Sequence, residues 1–266
     1  MTDAAYPAPR SICGAPATPA SPADPAGYRC DRQVADVEAL RRHLGGDRID
    51  VLAHSAASDL ALLYAARHPE RIRTLTLVTS RARALGLDHT HEHRMEAAAL
   101  RAAEPWFDSA HQAYQAIWAG TATDAEWDAG TPFFYGRWDA TAQAHAASEV
   151  EQTNEEAAEI YAASGAFDPA ATRSTLAALS APVLVLAGEL DGGPRPHVAA
   201  AAQLLPGAEL CVQAGGGHSP WLDDPVQFAR TVGSFLDRSV PPAHRVSSPS
   251  CRQVRSPGSA RSSDSC

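Results

Sequence analysis

The sequence contains no lysine: all 22 of its basic side chains are arginine, set against 31 Asp and Glu, for a formal net charge of -9. That shortage of positive charge argues against a protein built to grip a phosphate backbone, which needs clustered cations, so no nucleic-acid partner is expected and a neutral or cationic small substrate suits the chain better. The absence of lysine beside abundant alanine is a bias of GC-rich codons and carries no chemistry. Cysteine is also scarce. Cys13, Cys30, Cys211, Cys251 and Cys266 are odd in number and contain no C-x-x-C pair, so neither a disulfide framework nor a zinc cage is indicated, and a reducing cytoplasm is the expected compartment. No basic start followed by an apolar run opens the chain, and no stretch approaches the roughly 18 apolar residues needed to span a bilayer. A soluble protein with no membrane partner is expected. There is no internal repeat.

What is present suffices for one core: 266 residues, 45% of them hydrophobic, fit a single α/β domain. Residues 1–27 are dominated by Ala and Pro and cannot bury enough surface to offset their conformational entropy, so they are expected to be irregular. Residues 239–266, rich in Ser, Pro and Arg, read as a disordered tail. Between them, Asp31 is placed to cap a helix with Val34, Val37, Leu40 and Leu44 on one face, stopped by Gly45-Gly46. Residues 48–53 read as a strand, followed by a sharp turn at His54-Ser55-Ala56 and a helix to about His68, where Pro69 ends it. Further short apolar strands are expected at 72–78, 182–187 and 209–213, the last two separated by an Ala-rich helix. This alternation predicts an α/β fold with a mostly parallel sheet flanked by helices, its core formed by 28–84 and 180–238. Residues 85–179 show helical stretches with aromatic clusters but no strand, and are expected to form a helical cap over one end of the sheet. Asp224-Pro225 starts a last helix whose Val232, Phe235 and Leu236 face inward.

Three positions carry chemistry. Ala53-His-Ser-Ala-Ala57 has the small-x-Ser-x-small pattern of a nucleophile elbow, between a strand and a helix where that motif belongs, with Ala53 and Ala57 in place of the usual glycines. Small neighbours are needed because such a serine sits on a strained turn. Gly188-Glu-Leu-Asp-Gly192 follows the 182–187 strand, at the sheet edge where doubly wound proteins hold their ligands, and offers Asp191 as the acid, with Glu189 a competitor. Gly215-Gly-Gly-His-Ser-Pro220 follows the 209–213 strand and puts His218 on a glycine loop, expected to be flexible enough to carry the ring over Ser55. The order Ser, Asp, His, each directly after a strand, is that of a hydrolytic triad.

These residues, with Leu63-Tyr-Ala-Ala-Arg-His-Pro-Glu-Arg71 and Ala214-Gly-Gly-Gly-His-Ser-Pro-Trp221, resemble the α/β-hydrolase superfamily, particularly its proline-iminopeptidase-like members, over about Tyr28 to Leu236. The resemblance implies a serine hydrolase, aminopeptidase-like or esterase-like, that needs no cofactor. In it Ser55 attacks an ester or amide carbonyl of a small molecule or short peptide, His218 shuttles the proton and the Ala56 amide supplies half of the oxyanion hole. In that family the second oxyanion donor lies on a glycine-rich loop after an early strand. No such loop precedes Ser55. The early strands are therefore expected to be missing, through a misplaced start or a frame change, leaving 49–53 as an apolar sheet edge prone to self-association. The alternative is a truncated, inactive hydrolase-like protein serving as a binding module or having no function. The same triad would also serve a cofactor-free peroxidase or a carbon-carbon hydrolase.

Two other clusters read as structural. Asp88-His-Thr-His-Glu-His-Arg94 matches no metal-ligand spacing and reads as a solvated loop, so no metal is expected. The acidic run Glu149 to Glu159 reads as a solvated helix face, although cap carboxylates hold the substrate amine in the resembled aminopeptidases. The cap aromatics read as core before they read as a pocket.

Overall fold

The computed structural model describes residues 24–192 and 195–238, without the side chains at 150, 151, 195 and 196. The tail expectation for 239–266, and that for 1–23, lie outside the described residues. Asp24, within the stretch expected to be irregular, accepts a hydrogen bond from the Ala26 amide and caps a short 3-10 turn, Pro25–Tyr28.

Four parallel strands form one sheet in the order β1 (Ile49–His54), β2 (Ile72–Val78), β3 (Val183–Gly188), β4 (Glu209–Gln213). Register is continuous through the middle, with Val51 opposite Leu75, Leu77 opposite Val185 and Leu186 opposite Cys211. Alternation along β3 divides the core between two faces. Val183, Val185 and Ala187 join the helices α1 (Cys30–His43) and α2 (Ala57–Arg67), while Leu184 and Leu186 meet Val78, Cys211, Val232 and Phe235.

The excursion between β2 and β3 adds no strand to the sheet among the described residues and is built of α3 (His91–Ala99), α4 (Phe107–Ala119), α5 (Asp124–Gly130), α6 (Ala140–Gln152), α7 (Glu155–Tyr161) and α8 (Pro169–Leu176). Side-chain caps from Thr90, Thr123, Asp139, Asn154 and Asp168 start five of these helices, satisfying amides that have no partner inside the helix. After β3 come α9 (Arg195–Gln203), the single turn α10 (Pro220–Asp223) and α11 (Pro225–Asp237), whose Gln227 amide donates to Asp224. Val232 and Phe235 are buried, as their spacing predicts.

Helix α1 departs from expectation. Asp31 lies in its first turn, bonded to Arg29, instead of capping it. The buried stripe is Cys30, Val34, Glu38 and Arg41, whereas Leu40 and Leu44 are 56% and 66% exposed. The helix is rotated because Glu38 and Arg41 pair with each other and with Tyr64 of α2. Leu52 of β1, at the end of the sheet order, is 52% exposed. No helix among the described residues is long and apolar enough to cross a membrane. Cys30 and Cys211 are buried free thiols, and burial pushes Cys30 up to about 12.

Candidate active site

Ser55 occupies the junction of β1 and α2 with φ at 53°, a left-handed conformation rare for a side chain larger than glycine. The turn is held from both sides: the Ser55 amide donates to Val78 O (3.0 Å), and its carbonyl accepts from the amides of Ser58 and Arg81 (3.1 Å each). The neighbouring strand ends in the same way. Thr79, β-branched and therefore costlier, has φ at 41° and donates its amide to Leu186 O (2.7 Å). Conformations of this kind cost on the order of 1–3 kcal/mol each and persist where surrounding contacts over-determine them, commonly at functional sites. Ala53 and Ala57 are accommodated, Ala53 buried in the core and Ala57 packed against it.

Asp191 lies just beyond β3 and His218 beyond β4, and the His218 Nδ1–H donates to Asp191 Oδ1 at 3.1 Å. Asp191, not Glu189, meets the ring; Glu189 accepts from the Gly215 amide (3.1 Å). Burial alone would raise the Asp191 carboxyl, but the adjacent His218 holds it below the ordinary range. With Nδ1 donating, His218 Nε2 carries the lone pair a general base requires. Ser55 Oγ and His218 Nε2 are both buried and find no hydrogen-bond partner among the described residues, and both side chains line one pocket of about 370 Å³ of empty space, part of it open to solvent.

The loop that carries His218 is packed, against the expectation of flexibility. Gly216 and Gly217 are buried, the Gly217 amide donates to Asp223 Oδ2 (2.7 Å) and the His218 amide donates to Phe134 O of the cap (2.8 Å). A side chain at Gly217 would strike the backbone of Tyr135 and Gly136, and one at Gly188 would strike Gly216 and Gly217, so these glycines serve close approach. The His218 carbonyl accepts from His54 Nε2 and from Thr79 Oγ1, 2.8 Å each. Burial lowers His54 to about 3, which keeps it neutral. His54 and Thr79 are thus two positioning residues that motif reading missed. Thr79 directly follows a strand, as Ser55 does, so its place at that sheet edge is legible in the sequence, while its contact with His218 is not.

Ala56 is the residue before the first turn of α2, so its amide lies at the positive end of that helix; its carbonyl accepts from the Tyr161 hydroxyl (2.9 Å) and the Asp59 amide (3.0 Å). No glycine-rich loop precedes Ser55 among the described residues, where only α1 and the Gly45-Gly46 turn come between Tyr28 and β1.

The cap aromatics divide between two roles. Phe133 and Tyr114 are buried, with Trp106 and Phe107 packed against them, whereas Trp118 and Phe134 line the pocket. In the histidine-rich segment, Thr90 and His93 close a capping box at α3, and His89 reaches the pocket with its ring 4.3 Å from that of His197. No group of three metal-ligating side chains occurs among the described residues. Of the acidic run, Glu155, Glu156 and Glu159 are exposed, while Glu149 is half-buried beside Tyr135 and His145, and burial raises it to about 7.

No curated protein matches the chain by sequence. Among solved structures, it is similar to an esterase from Thermogutta terrifontis (21% identity, 79% of this chain and 73% of that one, TM-score 0.53). It is similar also to an esterase from Exiguobacterium antarcticum (16% identity, 81% and 76%, TM-score 0.58) and to the serine hydrolase CCSP0084 from Cycloclasticus zankles (16% identity, 84% and 76%, TM-score 0.56). A family model described as the alpha/beta hydrolase fold matches residues 13–225. With that match spanning most of its length and a parallel sheet wrapped by helices beneath a helical cap, the chain belongs to the α/β-hydrolase fold family.

Proposed function

We propose that this protein is a serine hydrolase that cleaves an ester of a small substrate through an acyl-enzyme on Ser55. The observation that carries the reading is that a serine strained to φ 53° opens into the same pocket as a histidine whose far nitrogen is bonded to a buried aspartate. In the first half-reaction His218 Nε2 takes the Ser55 hydroxyl proton as Oγ bonds to the substrate carbonyl carbon, and the carbonyl π pair becomes an oxyanion. The Ala56 amide and the N-terminus of α2 stabilise that charge. Collapse expels the alcohol, which takes the proton back from His218; a water then repeats the sequence to release the acid. Asp191 stays ionised and stabilises the imidazolium.

An ester is the first substrate to test because the similar solved structures include two esterases. Turnover of p-nitrophenyl butyrate tests the reading. The expected result is hydrolysis that Ser55→Ala lowers by at least about a thousandfold; an unimpaired rate in that variant would sink it.

A further inference from the structure

The pocket beside Ser55 runs against the charge of the molecule. In a chain of net charge -9, two of the residues lining it are arginines, Arg81 and Arg94, each only 4% exposed. They approach from different layers. Arg81 follows β2, and its amide is bolted to the elbow through Ser55 O at 3.1 Å, while its Nη2 donates to Asp88 (2.8 Å). Arg94 comes from α3 in the cap, with its guanidinium over the Trp118 ring (3.3 Å to the centroid) and Nη2 donating to His89 O (3.4 Å).

Two other buried arginines are engaged with the backbone and with acidic side chains. Arg101 is spent on the backbone, donating to Tyr135 O (2.6 Å) and Gly136 O (3.2 Å) and pairing with Glu104, while Arg41 is joined to Glu38. Asp191 is the one acid among the described lining residues, and it is bonded to His218. Asp88, half exposed, answers Arg81 from outside the lining. Burial drives His89 down to about 3, helped by His197, Arg94 and Arg81, so it adds no charge at neutral pH. Guanidinium groups carry their donors in a rigid planar fork that matches a carboxylate, and burial strengthens such charge-assisted contacts.

We propose that Arg81 and Arg94 form an anion subsite and that the substrate is an ester bearing a free carboxylate within reach of the scissile bond, such as a half-ester of a short dicarboxylic acid. The word ester rests on the hydrolase reading; the anion subsite does not.

Binding without turnover separates the two. In the Ser55→Ala chain, isothermal titration compares monomethyl glutarate with dimethyl glutarate. The half-ester is expected to bind at least about tenfold more tightly, the preference to fall to about twofold or less with Arg94→Met, and Arg94→Lys, which keeps the charge without the planar fork, to retain only part of it. Equal affinity for the two esters, including no measurable binding of either, overturns the subsite, as does a preference that survives Arg94→Met and Arg81→Met together. Should a methionine variant fail to fold, the comparison in the intact Ser55→Ala chain decides alone. Tight binding of the half-ester with no turnover by the unaltered enzyme would overturn the hydrolase reading and leave the subsite standing. Turnover of both esters with equal kcat/KM and no binding preference would do the reverse.

Discussion

Two clusters of buried polar side chains lie on opposite ends of this chain's economy of hydrogen bonds. Between α1 and α2, the Glu38 carboxylate accepts from Arg41 Nε and Nη2 (2.8 Å each), from Arg42 Nε (2.8 Å) and from the Tyr64 hydroxyl (3.0 Å). Beyond the ends of β1, β3 and β4, Asp191 is buried and His218 partly so, yet Ser55 Oγ and His218 Nε2 carry unused capacity into a pocket. Buried polar groups are expensive unless satisfied. A cluster whose partners are all internal therefore contributes specificity to the fold, and one whose reactive atoms are held without partners is prepared to meet another molecule. The backbone makes the same distinction: among the described residues the left-handed non-glycine positions, Ser55 and Thr79, both belong to the second cluster.

If this contrast is right, substitutions in the two clusters separate rate from stability. The largest effect is expected from Asp191→Asn, which keeps the volume but removes the charge that orients His218; kcat on an ester should fall by about 10³–10⁴ while the melting curve barely moves. Steady-state kinetics beside a thermal melt checks both. Thr79→Val deletes one of the two donors to the His218 carbonyl, and kcat should drop about tenfold with KM little changed, since a small misplacement of the base costs rate more than binding.

The pH response sharpens the comparison from the stability side. His54 and His89 are held near 3 by burial, whereas in the unfolded chain each titrates near 6.5. Between those values the unfolded chain binds more protons, so stability is complete above the unfolded value and is lost as pH falls toward 3, by at most about 1.4 kcal/mol per pH unit from each histidine. Denaturant titrations at pH 7 and pH 5 should show the loss, and His54→Gln should flatten it. The smallest effect is expected from Tyr64→Phe, which removes one donor from Glu38: about 1 kcal/mol of stability, with ester turnover unchanged. A parallel loss of turnover would erase the distinction between the clusters.

Much of the site was legible because its signals are local. Ser55 directly follows β1, Asp191 and His218 lie a few residues beyond β3 and β4, and short apolar runs bounded by turns identify those strands. Asp224 and Pro225 likewise declare the start of α11 within two residues. What escaped depends on long-range contacts. Thr79 and His54 act on a residue 139 and 164 positions away, and Arg94 reaches the elbow from the cap, a relation no spacing encodes. The glycine at 217 reads as freedom in the sequence, yet in the fold it permits contact between loops, as Gly188 does. The face of α1 was misjudged for a related reason: Leu40 and Leu44 extend the apolar stripe in sequence, but the Glu38–Arg41–Tyr64 cluster rotates the helix and leaves them outside. The net charge describes the chain as a whole and says nothing of Arg81 and Arg94, which are turned inward.

The central claim is that Ser55 is an activated nucleophile. The most direct measurement is the intact mass of the folded chain after treatment with a fluorophosphonate, beside the Ser55→Ala variant. The account predicts one stoichiometric adduct on the unaltered chain and none on the variant; a folded chain that stays unlabelled, or equal labelling of both, would contradict it.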